Sequence, residues 1–245
     1  MKYARLFIVL LVLPMLTIAQ QSMGGDGSFG SMFPDKAISP CSIGIFAGSN
    51  SNTHVVGTAY ASDMKYTPAS GLTAGINAAY HITGWFSLSA DFALVQKNYR
   101  LDRDNPSLSF VYTDATNNYL SLPVMAVISV GRTFRVVAFA GGYVGYWLSG
   151  HRSGQSLSVS YFITRNQDDT FFDEDYEFNE QRDNRFDSGI VYGAGMRCAI
   201  ARKIDLSADV RWYYGLTDIQ KSYMTNMNPR YNTTRTIQFG VAYWL

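Results

Sequence analysis

Between Ile204 and Tyr214 every second residue is apolar. Ile204, Leu206, Ala208, Val210, Trp212 and Tyr214 share one face, and Asp205, Ser207, Asp209, Arg211 and Tyr213 share the other. A period of two is the period of extended backbone, so this segment is a strand with two chemically opposed faces. The pattern returns at Ile237, Phe239, Val241, Tyr243 and Leu245, at Phe86 to Leu94, and at Leu72 to Ile82. Slipping one such strand by a single residue would exchange its faces and place Asp205, Asp209 and Arg211 where leucine and valine belong. The register is therefore strongly specified.

Read along the chain, the strands number eight: Ser42 to Ser49, Gly71 to Ile82, Phe86 to Arg100, Asn118 to Val130, Phe134 to Ser149, Phe186 to Cys198, Ile204 to Thr217 and Thr233 to Leu245. Their connections alternate in length. Thr83 to Trp85, Gly131 to Thr133 and Ala199 to Lys203 are short, whereas Asn50 to Ser70, Leu101 to Asn117, Gly150 to Arg185 and Asp218 to Asn232 are long and polar. Short turns at one end and long loops at the other characterise an outer-membrane barrel with both termini on the periplasmic side. The expected fold is all-β, an eight-stranded antiparallel up-and-down transmembrane β-barrel with short periplasmic turns and long extracellular loops.

Alternation alone would also fit a soluble calyx, which turns its apolar face inward. Here the polar faces carry small residues, Gly75, Ser87, Ser89, Ala93, Ser207, Gly240 and Ala242, suited to a crowded lumen, which favours the membrane reading. The chain opens with Lys2 and Arg5, an apolar run from Leu6 to Leu16 broken by Pro14, and Thr17-Ile18-Ala19, the pattern of a cleaved export signal. Residues 1–19 are expected to be a signal peptide, 20–40 a flexible periplasmic leader rich in Gly, Ser and Met, and 41–245 the barrel domain. Aromatic residues make up 15% of the chain, as girdles at the two membrane interfaces require. The formal net charge of +1, with 16% charged residues, offers no basic field for nucleic acid.

Candidate chemistry is sparse. The chain has three histidines, His54, His81 and His151. His81 lies beside a periplasmic turn, while His54 and His151 lie near the outer rim, where pairing with a loop serine would make a rim enzyme acting on lipid or peptide. No spacing signature supports that pairing, and no catalytic, cofactor or metal residues are assigned. The third long loop gathers Asp168, Asp169, Asp173, Glu174, Asp175, Glu177 and Glu180 among Phe171, Phe172, Tyr176 and Phe178. It lacks the ordered Asp-x-Asp-x-Asp-Gly pattern of a calcium loop and reads as a solvated surface, with a protein or glycan as the partner it would suit. Inside the barrel Asp91, Asp209, Arg211 and Arg197 are expected to form an ion-pair network, a structural plug in preference to a proton or ion path. Cys41 and Cys198 share the parity of outward residues on strands separated by two others, so they are expected to be free thiols. Pro123, which has no N–H for a ladder, is expected to mark a bulge.

Asn118 to Ala126, Phe139 to Tyr146, Phe186 to Met196 and Arg211 to Leu216, taken together, resemble the PorT-like outer-membrane β-barrel family of Bacteroidetes. Asn118-Tyr119-Leu120-Ser121-Leu122-Pro123-Val124-Met125-Ala126 is similar to its Leu-x-(Ile/Val/Leu)-Pro-Leu segment. Phe139 to Tyr146 resembles its Gly-rich fifth strand, Phe186 to Met196 its "Phe-Gly … Gly-Ala-Gly" strand with Asp187 in place of the first Gly, and Arg211 to Leu216 its "Arg-Tyr-x-x-Gly-Leu" pattern with Trp212 in place of Tyr. The closing Tyr243-Trp244-Leu245 resembles the insertion signal of outer-membrane barrels, with Leu for the usual Phe. The resemblance implies an integral cell-envelope barrel in contact with outer-membrane lipid, without catalytic residues. It implies a structural or surface-interaction role through the long loops, with an accessory part in type IX secretion or gliding as the alternative.

Overall fold

The alternating segments form strands, and most run further than the alternation marks. A computed structural model describes residues 40–56, 64–156, 171–221 and 229–245. The expected signal peptide and nearly all of the expected leader lie outside these. The strands are β1 (Cys41–Val56), β2 (Met64–His81), β3 (Phe86–Gln96), β4 (Tyr99–Arg103), β5 (Tyr112–Gly131), β6 (Phe134–Gln155), β7 (Phe171–Asp175), β8 (Phe186–Ala201), β9 (Ile204–Gly215) and β10 (Arg230–Trp244).

Eight of them close a ring through antiparallel neighbours: β1 with β2, β2 with β3, β3 with β5, β5 with β6, β6 with β8, β8 with β9, β9 with β10, and β10 back to β1. The two additional strands belong to the extracellular side. The segment expected as one strand from Phe86 to Arg100 breaks at Lys97 and Asn98, and β4 continues its line between β2 and β5. β7, expected as solvated loop, pairs with β6 from His151 to Gln155.

Strands were underestimated at this end because the wall outgrows the lipid. On β1 the outward residues change from Ile43, Ile45 and Ala47 to Ser49, Ser51 and Thr53. Once the outer face is polar, apolar-polar contrast disappears from the sequence although pairing continues. The expected loops Asn50 to Ser70 and Leu101 to Asn117 are therefore partly wall. At the opposite end the connections are tight. Gly131 sits at φ 116°, a conformation that L side chains avoid, and a Cβ there would stand 2.1 Å from the Phe134 carbonyl oxygen.

The two faces are distributed as in a membrane barrel and opposite to a soluble calyx. Ile45 is 67% exposed, Leu72 67%, Phe239 65% and Ile76 58%, while Asp91, Asp209 and Arg211 are buried inside. The outward apolar band on β10 runs from Ile237 to Leu245, close to the roughly 9–11 residues a tilted strand needs to cross hydrocarbon. Tyr80, Trp85, Phe134 and Tyr243 are exposed at its periplasmic edge, and Tyr192, Trp212 and Tyr214 stack side by side at the other.

The lumen is less uniformly polar than the sequence implied. Met125, Val127, Val137, Phe139, Tyr143 and Val191 form a buried cluster on the inward faces of β5, β6 and β8. Those strands are apolar on both sides, so alternation was faint there. Small residues opposite make the room: a Cβ on Gly193 would lie 2.6 Å from Phe139 Cε2. Pro123 does not make the expected bulge. Its pairing with Tyr143 on β6 keeps register, and its missing N–H is met by a gap in the β3–β5 ladder, which skips from Ala90↔Val124 to Ala93↔Ser121 without shifting. The irregularity lies instead on β6, where Asn118 pairs with Ser149 and Tyr119 with Trp147, leaving Leu148 as an extra residue. Cys41 and Cys198 form no disulfide, as expected.

Ile45 lies mid-band on β1, so Ile45→Arg is expected to destabilise the protein by about 2–4 kcal/mol, while Ile45→Leu stays near neutral. Urea unfolding in lipid vesicles measures both; equal stability of the two variants would refute the lipid-facing assignment.

Candidate functional site

Inward residues stack in layers along the barrel axis, because every second residue of each strand projects there. Nearest the periplasm, Trp244 donates from Nε1 to Asp205 at 2.8 Å, Arg135 pairs with the same carboxylate, and the His81 ring stacks on Trp244 with Ser42 Oγ 3.0 Å from its Nε2. Above this, Arg211 pairs with Asp91 and, at 3.1 Å, with Asp209, which also holds Arg197. These are the four residues the sequence brought together. The sequence reading missed the next layer. Lys97, at the break between β3 and β4, pairs with Asp187 and sits 4.9 Å and 4.8 Å from the ring centroids of Tyr119 and Tyr143. Tyr143 Oη and Asn232 Nδ2 also donate to Asp187, at 3.2 Å and 3.1 Å. Four cations thus meet four carboxylates, and ion pairs occupy the axis from one end of the lipid band to the other. The only sequence signal for the Lys97 pair was inward parity, on a strand where it was not followed to its end, and Asp187 was noted only as a departure from a glycine.

Described residues of the third and fourth loops meet at the extracellular mouth. β7 lies against β6, and the chain after it turns inward: Tyr176 stacks on Trp147 at 4.9 Å, Phe178 meets Trp147 edge-on at 4.9 Å, and Arg185 lies 4.1 Å over Phe178. Tyr176 Oη donates to Asp183 at 2.8 Å, and Arg182 pairs with the same carboxylate at 2.8 Å. Asn184 N donates to the Ile219 carbonyl and Lys221 N to that of Arg182, so the two loops clasp each other. Beneath them is a cavity of about 30 Å³ lined by His54, Tyr99, Trp147, Arg152, Tyr176 and Arg230, among others.

The expected aromatic-acidic recognition loop is thereby divided. Tyr176 and Phe178 turn inward, while Phe171, Asp173, Glu174, Asp175, Glu177 and Glu180 stay exposed. Asp168 and Asp169 lie outside the described residues. His54 and His151 are not brought together. His151 faces outward between Asp173, 2.6 Å from Nε2, and Asp175, 3.0 Å from Nδ1. His54 faces inward against Tyr99 and Tyr66, at ring distances of 4.2 Å and 5.4 Å, and no serine pairs with either ring among the described contacts. Burial above all, then Arg230, Lys97 and Arg152, lower the His54 pKa to about 3, against a smaller opposing effect of the Tyr231 backbone. Its imidazole is neutral, with one N–H donor and one acceptor. No cluster of metal-ligating residues occurs among those described.

A broad concavity of about 750 Å³ lies on the lipid face, where Ile43, Ile76, Ala78, Phe92 and Val241 line it. It is a groove for acyl chains on a wall already assigned to lipid. A closed antiparallel ring, apolar outside and charged within, agrees with a match of residues 19–221 to the family described as outer membrane protein beta-barrel domain. The chain belongs to that family. As an outer-membrane barrel it is similar to solved structures, all at low identity: OprG of Pseudomonas aeruginosa (13% identity, 86% of this chain and 97% of that one, TM-score 0.48) and the attachment invasion locus protein Ail of Yersinia pestis (12%, 82% and 98%, 0.40). Neisserial surface protein A is a third (14%, 83% and 97%, 0.41). No curated protein matches the chain.

Two outcomes follow for this outer-membrane barrel. Removing one partner of a buried pair strands the other charge, so Lys97→Met or Asp187→Asn alone is expected to cost about 3–5 kcal/mol, and the double variant less than the sum. Additive losses in urea unfolding would refute the pairing. For His151, both nitrogens face carboxylates, a geometry only the doubly protonated ring satisfies, and the hydrogen bonds to Asp175 and then Asp173 raise its pKa above 6.5. A raised folded-state value means the clamp on β7 is complete below pH 6.5 and is lost as pH climbs through the raised pKa. An NMR titration of His151 is expected to show this, with the pKa falling in Asp173→Asn and Asp175→Asn; an unchanged midpoint would contradict it.

Proposed function

We propose that this outer-membrane barrel works through its extracellular cap, as a structural and surface-recognition protein, and not as a pore. The observation that carries the reading is the Lys97–Asp187 layer with the Arg211 network below it, which fills the axis with paired charge, while an ordered cap projects beyond the lipid. On this reading residues 1–19 direct export and are removed, and the barrel is inserted among outer-membrane lipids. The segments around Pro123 and Gly193 support a place in the PorT-like branch of the family.

The cap also favours one kind of partner. Its outward edge presents Asp173, Glu174, Asp175, Glu177 and Glu180 beside exposed Phe171. An acidic rim around an apolar anchor complements a protein with a basic surface and repels a sulfated glycan. The cap is acidic locally although the whole chain is near neutrality.

Reconstituted in planar bilayers, the protein is expected to give no steady conductance. Cells carrying it are expected to adhere to some members of a panel of immobilised basic extracellular proteins more than cells lacking it. That adhesion should weaken with added salt and with Asp173, Glu174 and Asp175 replaced by their amides. A steady open conductance, or adhesion indifferent to the protein, would overturn the reading.

A further inference from the structure

The cavity beneath the cap has a feature that the recognition reading does not use. His54 is only 6% exposed, lines the cavity, and has no partner at good hydrogen-bond geometry on either ring nitrogen, the Tyr231 backbone being a poorly aligned neighbour. A buried imidazole normally has at least one partner, since leaving its N–H unmade forfeits the solvation lost on burial. The ring planes of Tyr66 and Tyr99 cover it but offer it no polar atom at hydrogen-bond geometry.

The charges lining this cavity are Arg152, Arg230 and one carboxylate, Asp183. The two arginines with Lys97 act on His54 electrostatically, all three as cations. Asp183 in the lining is already engaged by Arg182, Tyr176 Oη and the Asn179 N–H, and Lys97 below is paired with Asp187, which leaves Arg152 and Arg230 as the lining charges with no carboxylate partner in the cavity among the described residues. Arg152 lies over the Tyr176 ring, 3.9 Å from its centroid, and the Arg230 backbone is tied to Asp218 by a hydrogen bond of 3.1 Å from its N–H. Guanidinium groups that line a poorly solvated space attract anions more strongly than they do in water.

We propose that this cavity is a binding site for a small monovalent anion, a halide or compact carboxylate, held by the His54 N–H, Arg152 and Arg230. Its size sets the class. About 30 Å³ accommodates one or two water-sized groups and excludes a sugar, a nucleotide or a peptide side chain of any length. The bound anion would complete the hydrogen bonding of His54 and balance the field of the cations, joining β1, β6 and β10 beneath the cap. The site stands on different residues from the acidic rim and does not depend on that rim's partner.

The test is chloride NMR linewidth of the detergent-folded full chain, titrated at constant ionic strength against gluconate, which is too large to enter. Wild type is expected to broaden the chloride line saturably and bromide to reverse it. Arg230→Gln should weaken binding about tenfold, the loss of one charge-assisted hydrogen bond, and His54→Phe, which removes the N–H and fills the space, should abolish it. A heat-dependent gel shift confirms that each variant is folded. Should His54→Phe fail to fold, Arg230→Gln and Arg152→Gln decide the matter. Broadening that does not saturate, or that persists unchanged in the folded variants, would mean a cavity that holds only water and would overturn the proposal.

Discussion

A strand crossing hydrocarbon has no water to satisfy its N–H and C=O groups, and each pair left open costs several kcal/mol. The pairing of β1 with β10, unbroken from Ser42↔Trp244 to Val56↔Arg230, is therefore the contact on which the rest depends. It removes the last free edge and fixes the strand number as even. It also holds each side chain to one of two environments, lipid or lumen. Leu72 and Phe239 are exposed for the same reason that Asp91 and Arg211 are buried.

Closure with eight strands makes a narrow cylinder, and the contents follow from its width. Phe46, Phe139 and Tyr143 fill part of it, and the remaining charges must find partners because the wall shields them from bulk water. Asp209 shared between Arg197 and Arg211, and Asp187 shared among Lys97, Tyr143 and Asn232, show how the demand is met: each carboxylate serves several donors. This arrangement fixes neighbouring strands across the axis as well as along the wall. It leaves the space above Lys97, under the loops, as a region where side chains are gathered by the cap as well as by the barrel.

How much of this was legible in the sequence depended on whether two faces differed. β9 and β10 could be placed residue by residue, because Val210 beside Asp209 or Phe239 beside Gln238 leaves no doubt about orientation. The Asp91, Arg197, Asp209 and Arg211 cluster followed directly from that parity. β5 and β6 were legible as strands but not in their inward content, since Met125 and Val137 are as apolar as the lipid-facing residues next to them. Above the membrane the signal failed for the opposite reason: Ser51, Thr53 and Asn52 are polar on both faces, so the extension of β1 looked like loop. The His54 cavity needed three separate segments to meet, and spacing within any one of them carries no trace of that. Pro123 misled because its defect was absorbed by a gap in one ladder instead of an inserted residue.

The inserted residue on β6 has a wider meaning. Below Leu148, even-numbered residues of this strand point outward, as Val144 and Leu148 do; above it, His151 is the exposed residue and Arg152 turns toward the mouth. One extra residue acts as a phase shift, so a single continuous strand is written in two frames. The lower frame answers to the bilayer and the upper to the cap, and neither constrains the other's choice of odd or even. Without that shift, the parity that keeps Val144 in lipid would carry Arg152 out into solvent and His151 in toward Trp147. The charge at the mouth and the clamp on β7 would exchange places, although not one residue of the sequence around them had changed in kind.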